Sequence, residues 1–349
     1  MNLPEGLRAR LAALYPGAQI RRVTALRNDE SAGGEMKALG YARLLRIETT
    51  AGTVVFRTLR PDEFGHDRRA DRVENMVLAY DTFAKIPHHV AAVDVGMIRN
   101  DGMLLPLGET GEPYLITTWT EGSLYADDLR RVAAGVATDQ DLARAETLAR
   151  VLLEIHAQPG TQPAAYTRAI RDLLGLGESI FGMVDSYDAE TVPPARLRAI
   201  EEACLAWRWK LRGNDHRLRR THGDFHPFNI VFGERGVSLL DASRGIEGDP
   251  ADDVAALSIN YLFFATNQTD WRTGLGALWS RFWSVYLAGD RVDVCAAIAP
   301  FFAWRALVIA SPKWYPHMSA ADRDRILRFA ERALAADRFD PSFGAEAMA

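Results

Sequence analysis

The spacing of apolar residues changes character once along this chain of 349 residues, and that change limits the fold more than any other feature. From about Gln19 to Glu121 the pattern is strand-like. Ile20–Leu26, Tyr41–Thr49 and Thr53–Leu59 read as strands, with Ala51-Gly52 as a tight turn before the last. Asp67–Ile86 reads as a helix that stops ahead of Pro87. Val90–Ile98, Met103–Pro106 and Tyr114–Trp119 are further candidate strands, followed by a polar connector. Beyond it the pattern turns helical. Leu142, Ala145, Leu148, Leu152 and Ile155 recur at three- and four-residue steps and form one apolar helix face. Pro194–Leu211 reads as a helix started by Pro193 and Pro194. Trp271–Leu287 and Ala320–Ala336 add two more. The expectation is an α+β protein, with residues 1–120 a small antiparallel sheet with one helix and residues 121–349 a mainly helical body.

Composition excludes several classes. Hydrophobic residues make up 48% and charged residues 25%, enough apolar side chain for a buried core and too much for a disordered chain. A formal net charge of -5 argues against binding driven by a nucleic-acid backbone. The two cysteines, Cys204 and Cys295, are too far apart for a metal-ligand motif and too few for a disulfide framework. The most apolar stretch, Val294–Ala310, contains Pro300 and Arg305 and reads as buried helix, not as a membrane span. The N-terminal segment lacks the apolar run of a secretion signal, so a cytoplasmic location is expected.

One non-helical island, Thr221–Gly245, interrupts the helical half. It reads THGDFHPFNIVFGERGVSLLDASRG. Asn229 follows Asp224 by five positions, and Val237–Leu240 reads as a short strand that delivers Asp241. A carboxylate on a loop, a carboxamide just before a strand and an acid just after the next one suit phosphoryl transfer. The first orients an acceptor hydroxyl and takes its proton. The other two offer the hard oxygen donors that magnesium prefers. Taken singly, Asp224 is also a turn acid ahead of Pro227, Asn229 a turn residue and Asp241 a strand-terminal acid. In this order and spacing the three together point to a site.

HGDFHPFNIVF resembles the catalytic loop of the aminoglycoside phosphotransferase and choline kinase-like family, small-molecule relatives of the protein kinases. LLDASRG resembles that family's metal-binding strand end, and GDPADDVAAL the segment after it. The resemblance extends over residues 20–335, with its specific part at 221–257. It implies a protein-kinase-like two-lobe fold and an ATP- and magnesium-dependent kinase acting on a small-molecule hydroxyl. By the resemblance Asp224 is the catalytic base, Asn229 and Asp241 are magnesium ligands, and Asp253 begins a helix and braces the catalytic loop. His222 and His226 read as loop stabilisers. On the nucleotide side, Arg57 takes the place where protein kinases carry a lysine, and Glu74 is its natural partner. Gly33 and Gly34, in the long loop Asn28–Gly40, allow backbone N–H groups close to an anion. Thr117 and Trp119 would meet adenine through the connector. Phe228 departs from the small residue common in the family, and Ala242-Ser243 from its usual aromatic-acidic pair.

Asn260, Tyr261, Trp304, Arg305, Lys313 and Trp314 are candidates to line an acceptor site, although Trp304 and its neighbours read first as core or groove-facing helix residues. The run His216, Arg217, Arg219 and Arg220 reads as a solvated face. Two other functions share this architecture: a catalytically silent nucleotide-binding regulator, and a transferase that uses the nucleotide in a reversed pose. The identity of the acceptor is not encoded in any motif.

Overall fold

The computed structural model describes residues 3–26, 42–62, 64–162, 164–242, 244–265 and 270–349. The class is α+β, as the pattern of the sequence predicts. The chain divides into two compact units, Met1–Thr117 and Thr118–Ala349.

In the first unit, helix α1 (Glu5–Leu14) precedes strands β1 (Ile20–Leu26), β2 (Ala42–Thr49) and β3 (Gly52–Leu59). These pair as an antiparallel sheet in the order β1-β2-β3. The turn between β2 and β3 lies at Thr50-Ala51, one residue earlier than expected, because Gly52 already pairs with Thr49. The Thr49 hydroxyl fixes it, accepting from Ala51 N–H at 3.1 Å and donating to the Gly52 carbonyl at 2.9 Å. Helix α2 (Arg69–Phe83) is shorter than the expected Asp67–Ile86. Strands β4 (Gly96–Ile98) and β5 (Leu104–Pro106) form a separate hairpin. Leu3, Leu7 and Leu11 pack with Ile47 as this unit's small core.

Two expected strands are corrected. Of Val90–Ile98 only Gly96–Ile98 is a strand. Val90 and Val93 are exposed, and Asp94 turns to hold Arg10 through two bonds of 2.7 and 2.9 Å. Tyr114–Trp119 has strand-like composition but no strand structure. A strand forms only where a neighbour takes its N–H and C=O groups, and this run pairs with none among the described residues.

The second unit is mainly helical. It opens with β6 (Ser123–Leu124) and helices α3 (Tyr125–Ala133), α4 (Asp139–His156), α5 (Ala164–Gly175), α6 (Ile180–Asp185) and α7 (Pro194–Leu211). Short strand β7 (Arg219–Arg220) precedes the island, which supplies β8 (Ile230–Gly233) and β9 (Gly236–Leu239), and β10 (Glu247–Gly248) follows it and pairs with β7. Helices α8 (Ala251–Ala265), α9 (Leu275–Gly289), α10 (Ala299–Ile309), α11 (Ala320–Ala335) and α12 (Phe343–Met348) complete it. Helix α4 starts at a capping box in which Thr138 and Asp141 satisfy each other's backbone N–H groups. Of the expected stripe Ala145, Leu148 and Leu152 are buried, together with Ala149, while Leu142 and Ile155 are half-buried against the core. Helices α8 and α10 are buried almost all round, which is why their apolar pattern shows no clear face. Among the described residues no helix is long and apolar enough to cross a membrane.

Candidate active site

The loop between β7 and β8 is held from beneath by Asp253 in the first turn of α8. Its fully buried carboxylate accepts from the backbone N–H groups of His222 and Gly223, both at 2.8 Å. It also receives Nε2–H of His156 at 3.1 Å, and the other ring nitrogen of His156 then accepts from the Tyr286 hydroxyl at 2.8 Å. Three donors on one buried carboxylate satisfy its desolvated charge. Gly223 has φ +81, a left-handed conformation that costs a side chain little only when it is glycine. The backbone reversal there aims the next residue, Asp224, out of the brace.

Asp224 is held by several groups. Its backbone N–H donates to His222 Nδ1 at 3.3 Å, so His222 serves the loop internally. His226 Nδ1 accepts from Phe228 N–H at 3.2 Å, which leaves the ring proton on Nε2, 3.4 Å from Asp224 Oδ2. Arg305 of α10 bonds the other oxygen, Oδ1, at 2.6 Å. Burial pushes the Asp224 carboxyl up. The His226 hydrogen bond and the charges of Arg305 and Arg244 outweigh burial and hold it well below the usual carboxylate range.

Asn229 closes a short 3₁₀ turn, Pro227–Asn229, started by proline. Its amide Nδ2 donates to the Asp224 carbonyl at 3.1 Å, so its Oδ1 is left as an oxygen donor. The β8–β9 ladder then brings Asp241 to the same end. Ile230 pairs with Leu239, and Leu240 N–H bonds the Asn229 carbonyl at 2.9 Å. Asp241 follows at φ +51, exposed and with no bonded partner among the described residues. A left-handed aspartate costs energy, and such strain gathers at functional sites. Asn229 Oδ1 and the Asp241 carboxylate could hold a hard cation, and two protein oxygens suit magnesium, which takes its other ligands from phosphate and water. Among the described residues no group of three or more His, Cys, Asp or Glu forms a metal site.

The structure therefore brings His222, Asp224, Asn229, Asp241 and Asp253 together. It does not join Arg57 to Glu74: both are exposed, and no ion pair links them among the described residues. Thr117 and Trp119 are exposed, and Trp119 Nε1 donates to Glu121 at 2.7 Å. Gly33 and Gly34 lie outside the described residues, as does Ser243. Phe228 packs toward Phe264 of α8 and lies under the Arg130 guanidinium.

Several acceptor-side candidates are otherwise engaged. Tyr261 is buried with its hydroxyl on Tyr125, and Asn260 bonds its own helix at Ala256. Trp304 is buried and donates to the Glu178 carbonyl at 2.6 Å. Its ring carries the guanidiniums of Arg305 and Arg244 at 3.9 and 4.6 Å. Arg305 is not free for an acceptor anion. Besides Asp224 it bonds Asp252 Oδ1 at 2.8 Å. Burial pushes the Asp252 carboxyl up to about 6 despite that guanidinium. The solvated face expected for residues 216–220 fails at Arg217, which is buried and paired with both oxygens of Asp249 at 2.7 and 3.0 Å. Asp252 and His156 escaped the sequence reading. Asp252 is one of two adjacent acids in GDPADD, and His156 ends a helix far away along the chain, without a local signal.

The sequence model of the Phosphotransferase enzyme family matches residues 41–291. No curated protein matches the chain by sequence. Among solved structures it is similar to choline kinase LicA from Streptococcus pneumoniae, at 14% identity over 94% of this chain and 97% of that one, with a TM-score of 0.37. It is similar to a microcompartment-associated aminopropanol kinase at 14% identity over 98% of each chain, TM-score 0.42. An amicoumacin kinase, hAmiN, in complex with AMP-PNP, Ca2+ and Ami, matches at 14% identity over 97% of this chain and 96% of that one, TM-score 0.41. These likenesses are too distant to add to the argument. The family match spans well over half the chain and contains the whole Asp224 loop with its brace, and on that ground this protein belongs to the phosphotransferase enzyme family.

Proposed function

We propose that the chain transfers the γ-phosphoryl group of ATP to a hydroxyl of a small molecule. The observation that carries this reading is the loop braced on Asp253, from which Asp224 emerges beside Asn229, with Asp241 one residue past the Leu240–Asn229 backbone bond. In this reading Asp224 orients the acceptor O–H and takes its proton. A carboxylate held below its usual range is a weak base, which suits a loose transition state that asks little activation of the hydroxyl. Asn229 and Asp241 would hold magnesium, which when bound offsets phosphate charge. Arg57 with Glu74, and Thr117 with Trp119, are assigned to the nucleotide by the family resemblance.

The test is a panel of small hydroxylated metabolites assayed for ATP consumption, with Asp224→Asn as control. The variant should keep a magnesium-dependent melting shift with ATP and lose turnover by about 10²-fold or more. Turnover unchanged in Asp224→Asn removes the role of Asp224. ATP binding with no turnover on any acceptor favours a silent regulator of the same fold.

A further inference from the structure

We propose that a second binding pocket, formed by the β7 approach, the end of α9 and the segments around residues 290–293 and 338, takes a small anionic molecule. The pocket is an open concavity of about 530 Å³, lined by His216, Arg219, Arg291 and Arg338 with Asp290 and Asp293. It shares no residue with the Asp224 site.

The sign of the ligand follows from how the lining charges are satisfied. Asp293 pairs with Arg338. Asp290 keeps its charge but has both oxygens bonded to backbone N–H groups, of Val292 and Val294 at 3.1 and 2.7 Å. Two guanidiniums and this one carboxylate are left, so positive charge is in excess. Arg219 is anchored on the His216 and Leu218 carbonyls at 2.8 and 2.7 Å, contacts that orient it without neutralising it. Arg291 is exposed and has no carboxylate partner among the described residues. Two guanidiniums without a carboxylate partner at one concavity, one of them pre-oriented, match a phosphate or carboxylate group on the ligand, since guanidinium pairs bidentately with such groups.

The floor of the pocket also connects to the catalytic loop. The carbonyls of Val292 and Asp293 accept from Arg217, at 2.5 and 3.1 Å. The same guanidinium holds Asp249, whose Oδ1 receives the N–H of Ala251 at the start of α8. That helix carries Asp253, the brace of His222 and Gly223. A ligand that stiffens residues 290–293 therefore stiffens the support of the loop.

Calorimetry of the full chain with citrate and with inorganic pyrophosphate, without divalent metal, tests the site independently of any catalytic reading. One binding event is expected, weakened roughly tenfold or more in an Arg219→Gln/Arg291→Gln double variant that melts like the parent. Hydrogen exchange of a peptide spanning residues 218–226 should slow when the probe is bound to the parent and not in the double variant. No binding of either probe, or binding undiminished in the double variant, overturns the site. Binding that leaves this exchange unchanged overturns the link to the loop.

Discussion

At Arg305 one buried guanidinium serves two carboxylates, Asp224 at 2.6 Å and Asp252 at 2.8 Å. Removing it leaves two acids without their cation in a poorly solvated place. Arg305→Met should therefore lower the unfolding free energy by roughly 3–5 kcal/mol in urea titration, the usual result of deleting one partner of a buried pair. Arg305→Lys should recover only part of it, because an ammonium cannot span both acids as a planar fork does. Asp252 adds a pH effect. Its carboxyl is pushed up to about 6, above its unfolded value near 4, so the native state holds the proton more tightly than the unfolded chain. The stability it confers is present in full below about pH 4 and declines as pH rises through 6. In Asp252→Asn that decline should vanish, flattening the stability profile between pH 4 and 6 by about 1–3 kcal/mol. A profile parallel to that of the parent protein would contradict this assignment.

Helix α8 is the element on which the loop rests. Its first turn contributes Asp252 and Asp253, and its N-terminal N–H groups and dipole favour acids there. Asp253→Ala strands two buried backbone donors and His156 Nε2–H, so a loss of roughly 3 kcal/mol or more is expected. Exchange of the His222 and Gly223 amides should quicken beyond the change expected from global stability alone. Asp253→Asn keeps one acceptor oxygen and should fall between. Exchange at those amides that tracks global stability in both variants would show that Asp253 supports the fold without specifically bracing the loop. At this scale long, strongly periodic helices such as α4 and α7 were legible from spacing and from proline. Tyr114–Trp119 was misread because its apolar run reports composition, whereas a strand is defined by a partner.

The two compact units have separate hydrophobic cores. The second contains the large cluster running from Tyr125 to Phe343, while the first buries chiefly Leu3, Leu7, Leu11 and Ile47. A fragment of residues 118–349 should fold alone with a cooperative melt and near-ultraviolet dichroism. Residues 1–117 alone should not, since so small a core does not offset chain entropy. A non-cooperative melt of the longer fragment would contradict this. The sequence by itself determined the α+β class, the family and the proposed reacting set Asp224, Asn229 and Asp241, because short-range spacing fixes which groups a loop and its hairpin can present. Only the tertiary structure decided that Arg305 joins Asp224 to Asp252, that His156 bonds Asp253 beneath the loop, and that Arg217 is buried rather than solvated. Those partners lie tens of residues apart along the chain, and their charges meet only when packing of α4, α8 and α10 removes the water that would otherwise keep them independent.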